Sequence, residues 1–258
     1  MTGTPLRVVI TGASSGIGKA LAYEYAKRGA TLGLIARRGD LLTQIAGSLP
    51  VRSYTYATDV RDARALAGVA EDFIARVGCP DVVIANAGVS AGTLTGNPED
   101  NQVFEEILAI NVTGMMLTFQ RFIEPMKARK HGTLAGIASI AGFRGLPGAA
   151  AYSASKAAAI SYLESLRVEL TGSGVSVVTV CPGYIATPMT GGNSYRMPFL
   201  MDADVAAMKI AGAIERRKRF YVLPWQMAVV GWLMWRLPRP LYDSLFSRAP
   251  HKPRRAAG

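Results

Sequence analysis

The sequence is poor in whatever would staple or anchor it. Two cysteines in 258 residues, Cys79 and Cys181, are too few for a disulfide framework and have no metal-ligand spacing. They are expected as buried free thiols in a reducing compartment, with no metal site. No apolar run reaches the roughly 18–20 residues that cross a bilayer. The opening MTGTPLRVVI lacks the charged and apolar regions of a signal peptide, which predicts a cytoplasmic protein. Low-complexity tracts and fixed-period repeats are also missing, although glycine is frequent (27). What remains is globular composition, half apolar and 18% charged, in a chain long enough for one large core.

Charge is unevenly placed. The net charge is +11, and residues 209–258 hold eleven Lys/Arg against two acids, Glu215 and Asp243. The body is nearly neutral and the tail strongly basic, which suggests either an anionic surface as partner or a solvated tail.

Short β-branched runs alternate with helical periodicities. LRVVIT (6–11), TLGLIA (31–36), VRSYTYA (51–57), DVVIAN (81–86), TLAGIAS (133–139) and VSVVTVC (175–181) read as strands covered on both faces. RFYVL (219–223) supplies a seventh. Helical stretches at 16–28, 39–48, 62–77, 99–129, 149–171 and 202–217 lie between them. The pattern predicts an α/β fold, a Rossmann-type doubly wound parallel sheet of about seven strands with helices on both faces. Residues 1–223 would form that single domain and 224–258 a hydrophobic, then basic, C-terminal extension.

The first strand runs into TGASSGIG, with Gly12, Gly16 and Gly18 where a strand must turn into a helix. Glycine lets backbone approach a pyrophosphate, and the helix N-terminus offers free N–H groups to it. Where an NAD-binding sheet expects an acid after its second strand, Ala36 is followed by Arg37 and Arg38. Guanidinium groups pair with a 2′-phosphate that an acid would repel, which predicts NADP(H) in preference to NAD(H). Ser14 is a candidate second phosphate contact.

Tyr152 and Lys156, in YSASK, lie four apart and share a helix face. A nearby ammonium is expected to lower the phenol pKa toward the range useful for acid–base work. Ser139, at the C-terminal end of the fifth strand, is placed to donate to a substrate oxygen.

Taken together, these motifs resemble those of the short-chain dehydrogenase/reductase family over about residues 5–223. TGASSGIG (with Ser15 and Ile17) resembles the family's TGxxxGxG loop. NAG (Asn86, Ala87, Gly88) resembles its motif after the fourth strand, and CPG, with Pro182 and Gly183, its turn after the sixth. Asp59 and Val60 match the pair beside the adenine, while Asn111 matches a catalytic position in the fourth helix. The resemblance implies a tetrad of Asn111, Ser139, Tyr152 and Lys156. Tyr152 would exchange the proton, Ser139 would polarise the carbonyl, and Lys156 would tune Tyr152 and bind the nicotinamide ribose. Asn111 would hold a water leading to solvent, and Ile185 and Thr187 would contact the nicotinamide. The resemblance also implies a homodimer or homotetramer.

For the substrate, Phe143, Leu146, Met189, Met197, Phe199, Leu200 and Met201 are candidate pocket residues. Their apolar character favours a hydrophobic ketone or aldehyde and its alcohol. A 3-oxoacyl-carrier-protein reductase is an alternative, with Arg121, Lys127, Arg129 and Lys130 as basic surface, and so is a non-catalytic NADP(H)-binding sensor. WQMAVVGWLMW (225–235), followed by RPLYDSLFSR and HKPRR, is too short to span a bilayer. It reads as an interfacial anchor on an anionic leaflet or as a tail packed over the pocket or a second subunit. No nucleic-acid-binding module accompanies the basic residues, so nucleic acid is not expected as a partner.

Overall fold

A computed structural model describes residues 5–193 and 195–254, so Arg255 and the three residues after it lie outside the described residues. Seven parallel strands form one sheet in the order β3-β2-β1-β4-β5-β6-β9. They are β1 (Arg7–Thr11), β2 (Thr31–Ala36), β3 (Ser53–Ala57), β4 (Val82–Ala85), β5 (Gly132–Ile137), β6 (Val175–Pro182) and β9 (Phe220–Leu223). The order reverses between β1 and β4, which opens a crevice at the C-terminal ends of those strands. Strands β7 (Ile185–Ala186) and β8 (Met201–Asp202) pair beside it as a separate two-stranded ribbon.

Helices α1 (Gly16–Lys27), α2 (Gly39–Ser48) and α8 (Ala203–Glu215) cover one face of the sheet. Helices α3 (Ala63–Val77), α5 (Gly114–Ala128) and α6 (Ala150–Glu169) cover the other. Val8, Ile10, Leu32 and Leu34 point into the first layer, Val9, Ile35, Val83 and Leu134 into the second. The alternation along a doubly covered strand explains why these runs are apolar throughout. β3 departs from that expectation: as an edge strand it reads SYTYA and is half open to solvent.

The long helix expected at 99–129 is interrupted. Helix α4 (Asn101–Leu108) passes through a π-turn (Ala109–Thr113) before α5 begins. Cys181 is buried as expected, whereas Cys79 is only half-buried, because it lies in the loop before β4.

After helix α7 (Pro188–Gly191) and α8, the chain ends in α9 (Trp225–Arg236) and α10 (Arg239–Phe246). Helix α9 is apolar all round but buries only one side. Met227 lies against Gly183, and Gly231 admits the Phe143 ring. The Arg144 guanidinium donates to the Met234 and Leu237 carbonyls at 3.1 and 3.0 Å, satisfying the open end of the helix. It also stacks 4.1 Å over the Tyr242 ring, and Tyr242 Oη donates to the Gly145 carbonyl at 2.6 Å. The opposite face leaves Trp225, Val229, Trp232, Leu233 and Trp235 exposed.

Candidate active site

A cavity of about 510 Å³ opens at the crevice, lined from Gly12 and Arg37 at one end to Ser139, Tyr152 and Met189 at the other. That size falls among small-molecule and cofactor sites, roughly 300–1,000 Å³.

The β1–α1 turn forms its floor. Gly12 takes φ +67°, where a side chain would be strained. A Cβ at Gly18 would collide with the Gly12 carbonyl oxygen and the Asn86 amide, so Gly18 is a close-packing glycine behind the lining rather than part of it. Thr11 Oγ1 accepts from the Asn86 and Ala87 amides at 3.1 and 3.2 Å, and Asn86 Nδ2 donates to the Thr11 carbonyl at 3.0 Å. The NAG segment is thereby stitched to the glycine turn. Ser14, Ser15, Gly16, Ile17 and Gly88 line the space beside it, and the first turn of α1 carries no side-chain cap. Its amides are left for a ligand.

At the far end of the turn Arg38 Nη2 donates to Ser14 Oγ at 2.9 Å and to Ser15 Oγ at 2.8 Å. Arg37 stands 3.9 Å from the Asp59 carboxylate. Arg61 holds Asp59 more tightly, at 2.7 Å, and its hydrogen bonds keep that carboxyl below its usual range despite partial burial. Val60 completes this end.

Ser139 ends the loop after β5 and caps a short 3-10 turn (Ile140–Gly142), accepting from the Ala141 amide at 3.1 Å. Its Oγ donates to the Pro182 carbonyl at 3.4 Å. Tyr152 and Lys156 share a face of α6, with Lys156 Nζ 5.7 Å from the Tyr152 ring centroid. Lys156 is 4% exposed and donates to the Ile137 carbonyl at 2.8 Å. Burial pushes its pKa down to about 8, opposed by the nearby Cys181. Burial also raises the Tyr152 pKa, while hydrogen bonding to Ser139 works to lower it. The expected lowering of the phenol by Lys156 is therefore not what this structure has: desolvation outweighs it, and the ammonium is turned to a carbonyl.

Asn111 sits in the π-turn and is fully buried. Its Oδ1 accepts from the Val89 amide at 2.8 Å, and its Nδ2 donates to the Val89 carbonyl at 3.0 Å and to Ser155 Oγ at 2.9 Å. Its side chain thus cross-links the loop after β4 to α6. A π-turn widens a helix locally, and here it admits that cross-link. Ser155, which donates to the Tyr152 carbonyl at 2.8 Å, carries no motif of its own and was not legible beforehand.

Pro182, Gly183, Ile185, Thr187 and Met189 line the cavity. The remaining candidate pocket residues do not. Phe143 is drawn under α9 and stacks on Phe220, with centroids 6.0 Å apart. Leu146 is half-buried in the turn before α6, its amide held by Ser153. Phe199 is 49% exposed at φ +57°, and Met197 is half-buried, its sulfur accepting from the Asn193 amide. Instead, Tyr195 lies close enough to Tyr152 to disfavour its ionisation, and packs edge-on against Tyr184 at 6.3 Å. Lys252 of the C-terminal extension also reaches the Tyr152 ring.

The family model described as short chain dehydrogenase matches residues 7–197. The chain is 38% identical over 243 residues to an uncharacterised oxidoreductase of Myxococcus xanthus, covering 93% of this chain and 96% of that protein. It is 37% identical over 194 residues to 11-beta-hydroxysteroid dehydrogenase A of Sesamum indicum, covering 73% of this chain and 55% of that one. Among solved structures, a 3-ketoacyl-ACP reductase from Sinorhizobium meliloti superposes with a TM-score of 0.75 at 26% identity, covering 84% and 96% of the two chains.

Proposed function

The protein belongs to the short-chain dehydrogenase family, and from that premise we propose that it is an NADP(H)-dependent oxidoreductase that interconverts a hydrophobic ketone or aldehyde with its alcohol. The observation that carries this reading is convergence. One cavity joins an uncapped helix N-terminus and the Arg37/Arg38 pair to Ser139, Tyr152 and Lys156.

The residues fit a dinucleotide phosphate. Gly12 lines the cavity at φ +67°, Gly18 lets the turn pack closely behind it, and the uncapped first turn of α1 borders the same space. Arg38 with Ser14, and Arg37 above Asp59, supply donors suited to a 2′-phosphate. Bound there, the reduced cofactor would supply a hydride to the carbonyl carbon. Tyr152 Oη then gives its proton to the carbonyl oxygen, so that C=O becomes CH–OH. A phenol whose pKa is raised by burial remains protonated at neutral pH, as a donor must. Ser139 steadies the same oxygen. Lys156, positively charged below about pH 8, offsets the phenolate left behind. Asn111 acts through Val89 and Ser155, holding the loop and helix that flank this space.

An apolar substrate is favoured by Ile185 and Met189 in the cavity wall, by Tyr195 near Tyr152, and by the likeness to a hydroxysteroid dehydrogenase. The carrier-protein alternative finds less support. Arg129, one of its four candidate basic residues, is spent on the Pro80 carbonyl at 2.6 Å and on Asp81, and Lys127 on Glu124. NADPH oxidation across a panel of apolar ketones, abolished by Tyr152→Phe, is expected. NADPH binding without turnover, unchanged in Tyr152→Phe, would favour the sensor reading instead. Arg38→Asp should move preference toward NADH; an unchanged NADPH/NADH ratio would defeat the cofactor assignment.

We infer also that α9 and α10 rest on an anionic membrane surface. Trp225, Trp232 and Trp235 are 71%, 54% and 63% exposed, with Leu233, Leu241 and Leu245 beside them. Arg236 (5.1 Å over the Trp232 ring), Arg239 and Arg248 border that surface. Among the described residues no helix is long and apolar enough to cross a membrane. Flotation with phosphatidylserine vesicles, lost in a Trp225→Glu/Trp232→Glu variant, tests this. Flotation of neither protein, with the unsubstituted chain dimeric in solution and the variant monomeric, would assign the surface to a second copy.

A further inference from the structure

Beyond α10 the chain turns back over the cleft. The Gly92 amide donates to the Pro253 carbonyl at 2.9 Å, and Arg254 runs parallel beside Gly92. The Arg254 guanidinium grips Asp100 with Nε at 3.1 Å and Nη2 at 3.0 Å. Asp100 is 7% exposed and also accepts from the Leu94 amide at 2.7 Å, so the latch is built into the loop that follows β4. Two glycines mark the track. A Cβ at Gly92 would collide with the Lys252 carbonyl, and one at Gly148 would stand 2.6 Å from His251 Cβ. Residues 251–254 are thus a strap from the loop after β4 to the turn that leads into α6, beside Tyr152.

Lys252 lies between those fixings. Its Nζ stands 5.3 Å from the Tyr152 ring centroid, outside the 510 Å³ cavity and at its Tyr152 end. Among the described residues it pairs with no carboxylate. Burial weakens its charge, lowering its pKa from the ordinary lysine value. A partly buried ammonium ordinarily finds a counter-charge or extends into water. This one keeps an opening to water and is held over the Tyr152 ring by a strap fastened on both sides of it.

The geometry points to Lys252 as a specificity-determining residue that receives a carboxylate carried by the substrate near its reacting carbonyl. This rests on the reading of the cleft as a carbonyl-reducing site, and it narrows an apolar ketone to an oxo acid with an apolar remainder. One ammonium matches a monoanion, whereas a phosphate dianion calls for several donors. The adjacent Tyr184 and Tyr195 suit the remainder.

Isothermal titration of octanoate and of octanamide, each with NADP+ present, isolates the carboxylate from turnover. The unsubstituted protein should bind octanoate roughly ten-fold more tightly, the loss ordinarily seen when a charged hydrogen bond is removed. Lys252→Gln should erase that difference and leave octanamide unchanged. Arg254→Ala, which keeps the ammonium but opens the latch, should reduce it. Equal affinities in the unsubstituted protein, a preference that survives Lys252→Gln, or no binding of either compound would overturn the assignment. A carboxylate preference without NADPH oxidation on 3-oxooctanoate would leave Lys252 its role and remove the reductase reading.

Discussion

Lys156→Met should stabilise this protein while destroying its activity. A lysine that loses its proton near 8 rather than 10.5 burdens the folded state by about 3 kcal/mol below pH 8, at about 1.4 kcal/mol for each pH unit between the two values. Methionine fills similar space without a charge. The bond from Nζ to the Ile137 carbonyl is lost, which returns about 1 kcal/mol. The net gain of about 2 kcal/mol should raise Tm by roughly 4–8 °C in a chain of this size. The sign with pH is fixed. Below 8 both folded and unfolded wild type carry the proton and the burden is complete. Between 8 and 10.5 only the unfolded chain is protonated, so wild-type stability rises with pH. The advantage of the variant should therefore shrink over that window, vanish at about pH 9.5 and reverse above it. Thermal unfolding of cofactor-free protein followed by circular dichroism at pH 6.5, 8 and 9.5 measures it. A variant less stable than wild type at pH 6.5, or a gain that does not change with pH, would refute the reasoning.

Gly18→Ala should abolish binding of NADPH measured by fluorescence, because the new methyl meets the Gly12 carbonyl in a turn that has no room to yield. Alcohol oxidation should accelerate from pH 7 to pH 9 while ketone reduction does not, since the raised Tyr152 pKa leaves little phenolate at neutral pH to accept a proton; steady-state rates in both directions check this. Met227→Ala should cost about 2–4 kcal/mol in urea unfolding, as it empties a 2% exposed site between α9 and Gly183.

Local spacing made the candidate cofactor and acid–base residues readable. Tyr152 and Lys156 share a helix face because they are four apart, and the glycine turn must follow its strand directly. Helix α9 carries Trp225, Val229 and Trp232 on one side and Met227, Val230 and Met234 on the other. Which side is buried is not legible in the sequence, because both are apolar and the choice depends on Gly183 and Phe143 from elsewhere. Phe143 itself read as a pocket residue through its nearness to Ser139, and only the packing of a later helix removes it. Arg129 read as a free surface cation, but β4 brings the Cys79 and Pro80 carbonyls to it. The Asp100–Arg254 latch joins residues 154 apart, a pairing that no local pattern announces.

Arg144 has a mechanical consequence. It belongs to the short loop that starts at Ser139, and it ties that loop to the far end of α9 while Phe143 sits under the helix and Gly145 is fastened to Tyr242. The tryptophan helix and the serine loop are therefore braced like the two arms of a truss. A load applied to the exposed face of α9 is carried along that brace toward Ser139, and through Met227 to Gly183 on the opposite wall of the cleft.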